Sequence, residues 1–205
     1  MPSGNARAPT VKSRAPQRRR GRERVASLQA AAAKLFVEKG YDATTMTEIA
    51  ARAGASIGSL YLFFPTKPSL AEALLIELAE ILSARLDGLR ERVGGRRAAK
   101  VGDALFDELA DFSRAHPVYG VLIDLPGEYG WRVGVRARRR AQIAALFRDA
   151  QPPLRTAQAE HLAVIVPQLL RVALITSGRP DAEGVMAELR AMLRHHLEWP
   201  QDEQE

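Results

Sequence analysis

Residues 44–70 read TTMTEIAARAGASIGSLYLFFPTKPSL, and the rest of the chain is best read outward from them. Two short helical patterns meet at a glycine. Thr45 suits an N-cap, with Glu48 three residues on as its capping-box partner. Ile49, Ala50 and Ala53 form the buried side of that helix, and Gly54 makes the turn. Ser56 caps the next helix, in which Leu60 and Phe64 face inward. Pro65 ends it, because proline has no N–H and pushes Phe64 out of the helical region. Two such helices on a tight turn make a helix-turn-helix.

Helical periodicity continues on both sides. Upstream, the spacing predicts a helix from about Arg22 to Lys39 with Val25, Leu28, Ala32, Leu35 and Phe36 on one face; Gly40 suits the left-handed residue beyond it. Downstream, Thr66 opens a long helix to about Val93, broken by Gly94 and Gly95. Further helices are expected over about Ala98–Ala115, Val118–Leu125, Glu128–Ala150 and Arg155–Ser177, then a ninth capped by Asp181. The eighth is apolar on most of its surface, the mark of a helix buried on nearly all sides. The fold expected is all-α, nine helices without strands. The boundaries are an unstructured basic arm over 1–21, a helix-turn-helix domain over 22–68, a larger helical body over 69–197 and an acidic tail over 198–205.

Charge sharpens this division. Residues 1–24 carry eight basic side chains against Glu23 alone, whereas the remaining 22 basic and 23 acidic groups nearly cancel. With three prolines and almost no large apolar residue before Val25, the arm has too little surface to bury for folding. It reads either as a solvated tail or as a grip on phosphates. The chain has no cysteine, which excludes disulfides and thiolate metal sites and fits the cytoplasm. The most apolar run, Leu162 to Ile175, contains Pro167, Gln168 and Arg171, so no membrane partner is expected. The four histidines share no ligand spacing, and no carboxylate pair, nucleophile motif or phosphate loop appears. No catalytic residue, metal or cofactor is expected, and the chain does not read as an enzyme.

A helix that enters the major groove needs a slim, polar tip. Ser56, Gly58 and Ser59 supply one, and Ile57 could meet a thymine methyl. Tyr61 lies one turn on, within reach of a phosphate, and Lys67 follows at the start of the next helix. The run LQAAAAKLFVEKGYDATTMTEIAARAGASIGSLYLFFPTKPSL resembles the DNA-binding domain of the TetR family of bacterial transcriptional regulators, over about Arg24 to Leu75. Two positions depart from the usual pattern: Phe63, where many members carry His or another polar or aromatic residue, and Ile57, where many carry Lys. The candidate DNA contacts are Thr45, Thr47, Ser56, Ile57, Gly58, Ser59, Tyr61, Phe63 and Lys67, with Arg20 and Arg22 of the arm.

The resemblance implies a repressor: a homodimer that holds a double-stranded DNA operator and leaves it when a small-molecule effector moves the fourth helix. It places the dimer interface on the last two helices, where Leu169, Val172, Val185, Leu189, Met192, Leu193 and His196 are candidates. It places an effector pocket between the fourth and eighth helices. Phe106, Leu109, Phe112, Tyr119, Trp131 and Gln168 are candidates there, although the first three recur at the spacing of an ordinary core face. Arg132, Arg136, Arg138, Arg139 and Arg140 cluster on the seventh helix, either as a solvated face or as an attraction for an anionic effector. A helical DNA-binding or adaptor protein without an effector is the alternative.

Overall fold

The structure, a computed structural model, describes residues 14–125, 130–175 and 181–198. Among these the secondary structure is all α-helix: α1 (Arg14–Lys39), α2 (Met46–Arg52), α3 (Ile57–Phe63), α4 (Lys67–Val93), α5 (Ala98–Ala115), α6 (Pro117–Ile123), α7 (Gly130–Arg148), α8 (Thr156–Ile175) and α9 (Ala182–Glu198). No described helix is long and apolar enough to cross a membrane. The chain divides into two compact units, residues 1–70 and 71–205.

In the first unit α1 packs on α2 and α2 on α3. The core is Leu28, Leu35, Phe36, Ile49, Leu60 and Phe64, drawn from the inward faces that the periodicity marks. Gly40 and Gly54 adopt φ of 85° and 60°, left-handed values that glycine takes without steric cost, and these turns set the angles between the helices. α3 stops at Phe63 because Phe64, ahead of Pro65, is extended (φ −134°, ψ 96°). One boundary differs from the sequence reading. α1 starts at Arg14, so residues 14–21 are helical rather than part of an unstructured arm. Arginine is a good helix former, Pro16 falls in the first turn where its missing N–H costs nothing, and Arg19 pairs with Glu23 one turn on. Residues 1–13 and 199–205, the rest of the arm and nearly all of the acidic tail, lie outside the described residues.

In the second unit α7 packs on α8, α8 on α9, and α5 on α8 and α9. Leu78, Leu82, Leu86 and Leu89 bury the inner face of α4. α5 is fastened to α9 twice, by Asp103 with Arg194 and Asp107 with Arg190, and to α4 by Glu108 with Arg85 and Arg92. Gly102 of α5 permits the close approach of α9: a Cβ there would stand 2.7 Å from a methyl of Leu197. The arginines of α7 do several jobs. Arg132 and Arg136 donate to the carbonyls of Leu125 and Ile123, closing the end of α6, and Arg138 pairs with Glu80. α8 is not buried on all sides as its composition suggests. Val164, Ile165 and Val172 stand exposed on this single chain.

Candidate functional site

The first unit presents α3 outward. Leu60 is fully buried and anchors the helix, while Ile57 (40% exposed), Tyr61 (49%) and Leu62 (79%) face out. Ser56 and Gly58 are exposed, and Ser59 and Phe63 half-buried. The tip is fixed by its own cap: the Ser56 hydroxyl accepts from Ser59 N–H at 3.2 Å. Among the described residues, nothing beyond its chain neighbours and its own helix backbone lies within 4 Å of a Cβ built on Gly58. Its lack of a side chain therefore answers no packing need of this unit. Leu62 is absent from the sequence-derived set. The signal was present: with Leu60 and Phe64 inward, a residue midway between them must point to the opposite side of a helix.

α2 is held by the complete capping box that its sequence suggests. Thr45 accepts from Glu48 N–H, and the Glu48 carboxylate accepts from Thr45 N–H. Lys39, at the end of α1, donates to the same carboxylate. These donors, Lys39 first and then the Thr45 backbone and hydroxyl, pull the Glu48 carboxyl down to about 2. Arg52 closes the other end of α2 through a bidentate pair with Glu38, which lowers the Glu38 carboxyl. Thr45 and Thr47 remain exposed beside this frame, as do Arg20 and Arg22 on α1.

Lys67 is placed differently from its expected seat beside a phosphate. Its ammonium donates to the carbonyls of Tyr41, Asp42 and Thr44 at 2.9, 3.1 and 3.0 Å and lies 4.5 Å above the Tyr41 ring. An ammonium has three protons, and all three are taken. Lys67 thus ties the α1–α2 loop to the start of α4. It sets the position of Thr45 rather than offering a charge outward. Arg24, also unforeseen, reinforces the next turn by donating to Gly54 O at 3.3 Å.

In the second unit a cavity of about 560 Å³ is bordered by α4, α5, α6, α7 and α8, a size that suits a small organic molecule. Leu109, Phe112, Tyr119 and Gln168 of the sequence-derived set line it. Phe106 does not; it is fully buried beneath the guanidinium of Arg190 and belongs to the core. The Trp131 side chain lies outside those described. Leu82, Arg139 and Pro167 join the lining. Sequence spacing could not find them, because they come from three separate helices.

On α8 and α9 the interface candidates separate. Leu169 and Val172 lie with exposed Ile165 at the i, i+4, i+7 spacing of one helical face. Val185, Leu189, Met192 and His196 make the matching face of α9, partly or fully exposed. Leu193 is the correction: it is buried against Gly102 of α5 and serves the unit's own core.

Comparison with known proteins agrees with this architecture. Residues 28–74 match the family model for bacterial regulatory proteins of the tetR family. The A-factor receptor protein of Streptomyces griseus is 27% identical over 180 residues, covering 83% of this chain; the chain spans only 61% of that protein's length. Among solved structures, a TetR-family transcriptional regulator from Streptomyces coelicolor is 26% identical, with a TM-score of 0.59 over 85% of this chain and 97% of its own. A TetR transcriptional regulator from Legionella pneumophila has a TM-score of 0.69 at 15% identity, over 84% of this chain and 96% of its own. The Bacillus subtilis regulator FadR, solved with stearoyl-CoA, has a TM-score of 0.64 at 15% identity, over 82% of this chain and 96% of its own. With the helix-turn-helix and the family model in agreement, residues 28–74 of this chain form the N-terminal domain of the tetR family of bacterial regulatory proteins, and the fold of the rest is similar to that of TetR-family regulators.

Proposed function

We propose that this protein is a homodimeric transcriptional repressor that binds operator DNA through α3 and is released when a small molecule fills the cavity of the second unit. The observation that carries the reading is the outward face of α3. Gly58, Tyr61 and Leu62 are exposed on a helix whose anchoring residue, Leu60, is fully buried. A helix that leaves large apolar and aromatic groups in water has a partner to cover them. The capped tip with Ser56 and Ile57 suits base edges, and Tyr61 and Thr45 suit flanking phosphates.

Dimerisation is supported by α8 and α9, on which Ile165, Leu169 and Val172 and, in turn, Leu189 and Met192 stand partly or fully exposed. A two-fold dimer reads half-sites about 34–36 Å apart, one turn of duplex, or somewhat wider. One relative is a receptor for A-factor and one structural neighbour holds stearoyl-CoA, which supports an effector for this chain as well. α4 begins at Lys67, which holds the α2 cap, and continues past Leu82, which lines the cavity, so it is the covalent route for the signal.

The test is fluorescence anisotropy with duplexes from the region upstream of the protein's own reading frame. Tyr61→Ala is expected to weaken binding to every duplex by a similar factor and to leave the salt slope unchanged, because a neutral hydroxyl on a phosphate displaces no counterion. Unchanged affinity for every duplex would remove Tyr61 from the phosphate contacts. Sedimentation of Val172→Glu should yield a monomer with unchanged helicity; an intact dimer would move the interface elsewhere.

A further inference from the structure

The cavity meets a second one, of about 270 Å³, between α4 and α7. Leu82, Tyr119 and Arg139 line both, so a single polar point sits where the two join. Tyr119 is only 5% exposed, and its ring stands edge-on to Phe112 at 5.1 Å. Among the described residues its buried hydroxyl has no hydrogen-bond partner of normal geometry. Burial pushes the phenol up, and the positive charge of Arg139 pulls against it, so the guanidinium lies near enough to act on the hydroxyl. Arginine has donors only, however. Even in direct contact it would leave the phenolic proton without an acceptor.

The other arginines around these cavities are engaged. Arg171 pairs with Asp124 at 3.3 Å, Arg114 with Asp111, Arg138 with Glu80, and Arg136 holds the end of α6. Arg139 has no carboxylate partner among the described residues. A buried hydroxyl and a half-buried guanidinium therefore converge on one place, where the phenolic proton has no acceptor and the guanidinium no carboxylate among the described residues. The walls around them are otherwise mostly apolar: Leu82, Leu109, Phe112, Ile123 and Leu170. A carboxylate satisfies both donors at once, because each of its oxygens accepts and its charge complements the guanidinium.

We infer that the effector of this protein is an apolar molecule with a single carboxylate-type head, seated between the Tyr119 hydroxyl and the Arg139 guanidinium with its body in the larger cavity. This assignment rests on the effector reading above and names the chemistry of that site.

The test uses the full-length protein and three probes with one chain and different heads: decanoate, decanol and decylamine. Calorimetric titration should show decanoate binding at least about tenfold more tightly than decanol, the discrimination of a charge-assisted pair, and decylamine not binding. Arg139→Gln should cost decanoate about tenfold or more and leave decanol unchanged. Tyr119→Phe should cost decanoate a few-fold, with the fold verified by circular dichroism. Equal binding of decanoate and decanol overturns the assignment, as does failure of decanoate to bind the folded protein. Unchanged affinity in Arg139→Gln does the same. Operator release keeps the two ideas apart. If a neutral compound releases DNA and decanoate does not, the carboxylate assignment falls while the effector switch stands. If decanoate binds through Arg139 but never alters operator affinity, the switch falls and the site's chemistry stands.

Discussion

The two units of this chain treat their polar groups in opposite ways. In residues 1–70 the loop between α1 and α2 is closed by designated side chains. The Thr44 hydroxyl donates to the carbonyl of Gly40 at 2.8 Å, and Lys67 takes those of Tyr41, Asp42 and Thr44. In the body, Tyr119 and Arg139 converge with donors to spare. The first arrangement suits a surface that must hold one shape before its partner arrives. The second suits a site that is complete only with its ligand. The contrast extends to packing, since the first unit is built around fully buried Leu28, Phe36, Ile49 and Leu60 while the body keeps a cavity beside Leu109 and Phe112.

The largest expected effect tests that contrast in packing. Leu60→Ala should cost about 2–5 kcal/mol, the range for a core leucine whose neighbours cannot collapse into the void, and should abolish DNA binding. Leu109→Ala should fall at the low end of that range, because one side of Leu109 already faces empty space and gives up fewer contacts. Urea denaturation of both variants measures the difference. Equal losses would mean that the cavity is filled by rearranged side chains and that the two units are packed alike.

A smaller effect separates a structural ammonium from a DNA contact. Lys67→Met keeps the aliphatic stem and removes the three donors. It should destabilise the first unit by about 1–3 kcal/mol and leave the salt dependence of DNA binding unchanged. A slope reduced by about 1 with no loss of stability would return Lys67 to the phosphate contacts.

Lys67 also marks the limit of what the sequence makes legible. Periodicity and caps place the helices of the first unit well, because Thr45, Glu48, Ser56 and Pro65 act on neighbours three or four residues away. Lys67 acts on carbonyls 23 to 26 residues away, and nothing local in the sequence announces that. The same holds in the body. Phe106, Leu109 and Phe112 recur on one face of α5, yet Phe106 is core and the other two line the cavity. Leu193 and Met192 are adjacent on an apolar stripe, yet Gly102 of α5 decides that the first turns inward. Which side of a stripe faces core, ligand or partner depends on other helices, and a single-chain pattern does not carry that information.

Acid provides a third, gentler probe of the closed frame. The Glu48 carboxyl is lowered to about 2 in the folded unit by Lys39 and Thr45, against about 4.3 for an unperturbed glutamate. A depressed carboxyl contributes stability that is present above its unfolded value and disappears as pH falls toward its folded one. The first unit should therefore lose the support of this capping box between about pH 4.3 and pH 2. Glu48→Gln should flatten that part of the stability-versus-pH curve while keeping Thr45 as the cap of α2. A variant with the same acid slope as the parent would place the acid-sensitive group elsewhere.

Two glycines bring the contrast down to a single methyl group. At Gly102 the space is taken: an added Cβ meets Leu197 at 2.7 Å and Leu193 at 3.6 Å. Gly102→Ala gains about 1 kcal/mol of helix propensity but must displace the end of a flexible leucine, at about 0.5–1.5 kcal/mol, so its net effect on stability should be near zero. At Gly58 the space is open, and the residue lies inside a helix where alanine would be more stable. Gly58→Ala should therefore stabilise the first unit by about 0.5–1 kcal/mol. If α3 reads DNA at close range, the same methyl should weaken operator binding, because it occupies the gap through which backbone and base edges approach. Stability and affinity would then move in opposite directions at Gly58, while neither would move much at Gly102. Should Gly58→Ala gain stability with no loss of affinity, the tip of α3 does not enter the groove at that residue, and the reading surface would shift toward Tyr61 and Leu62.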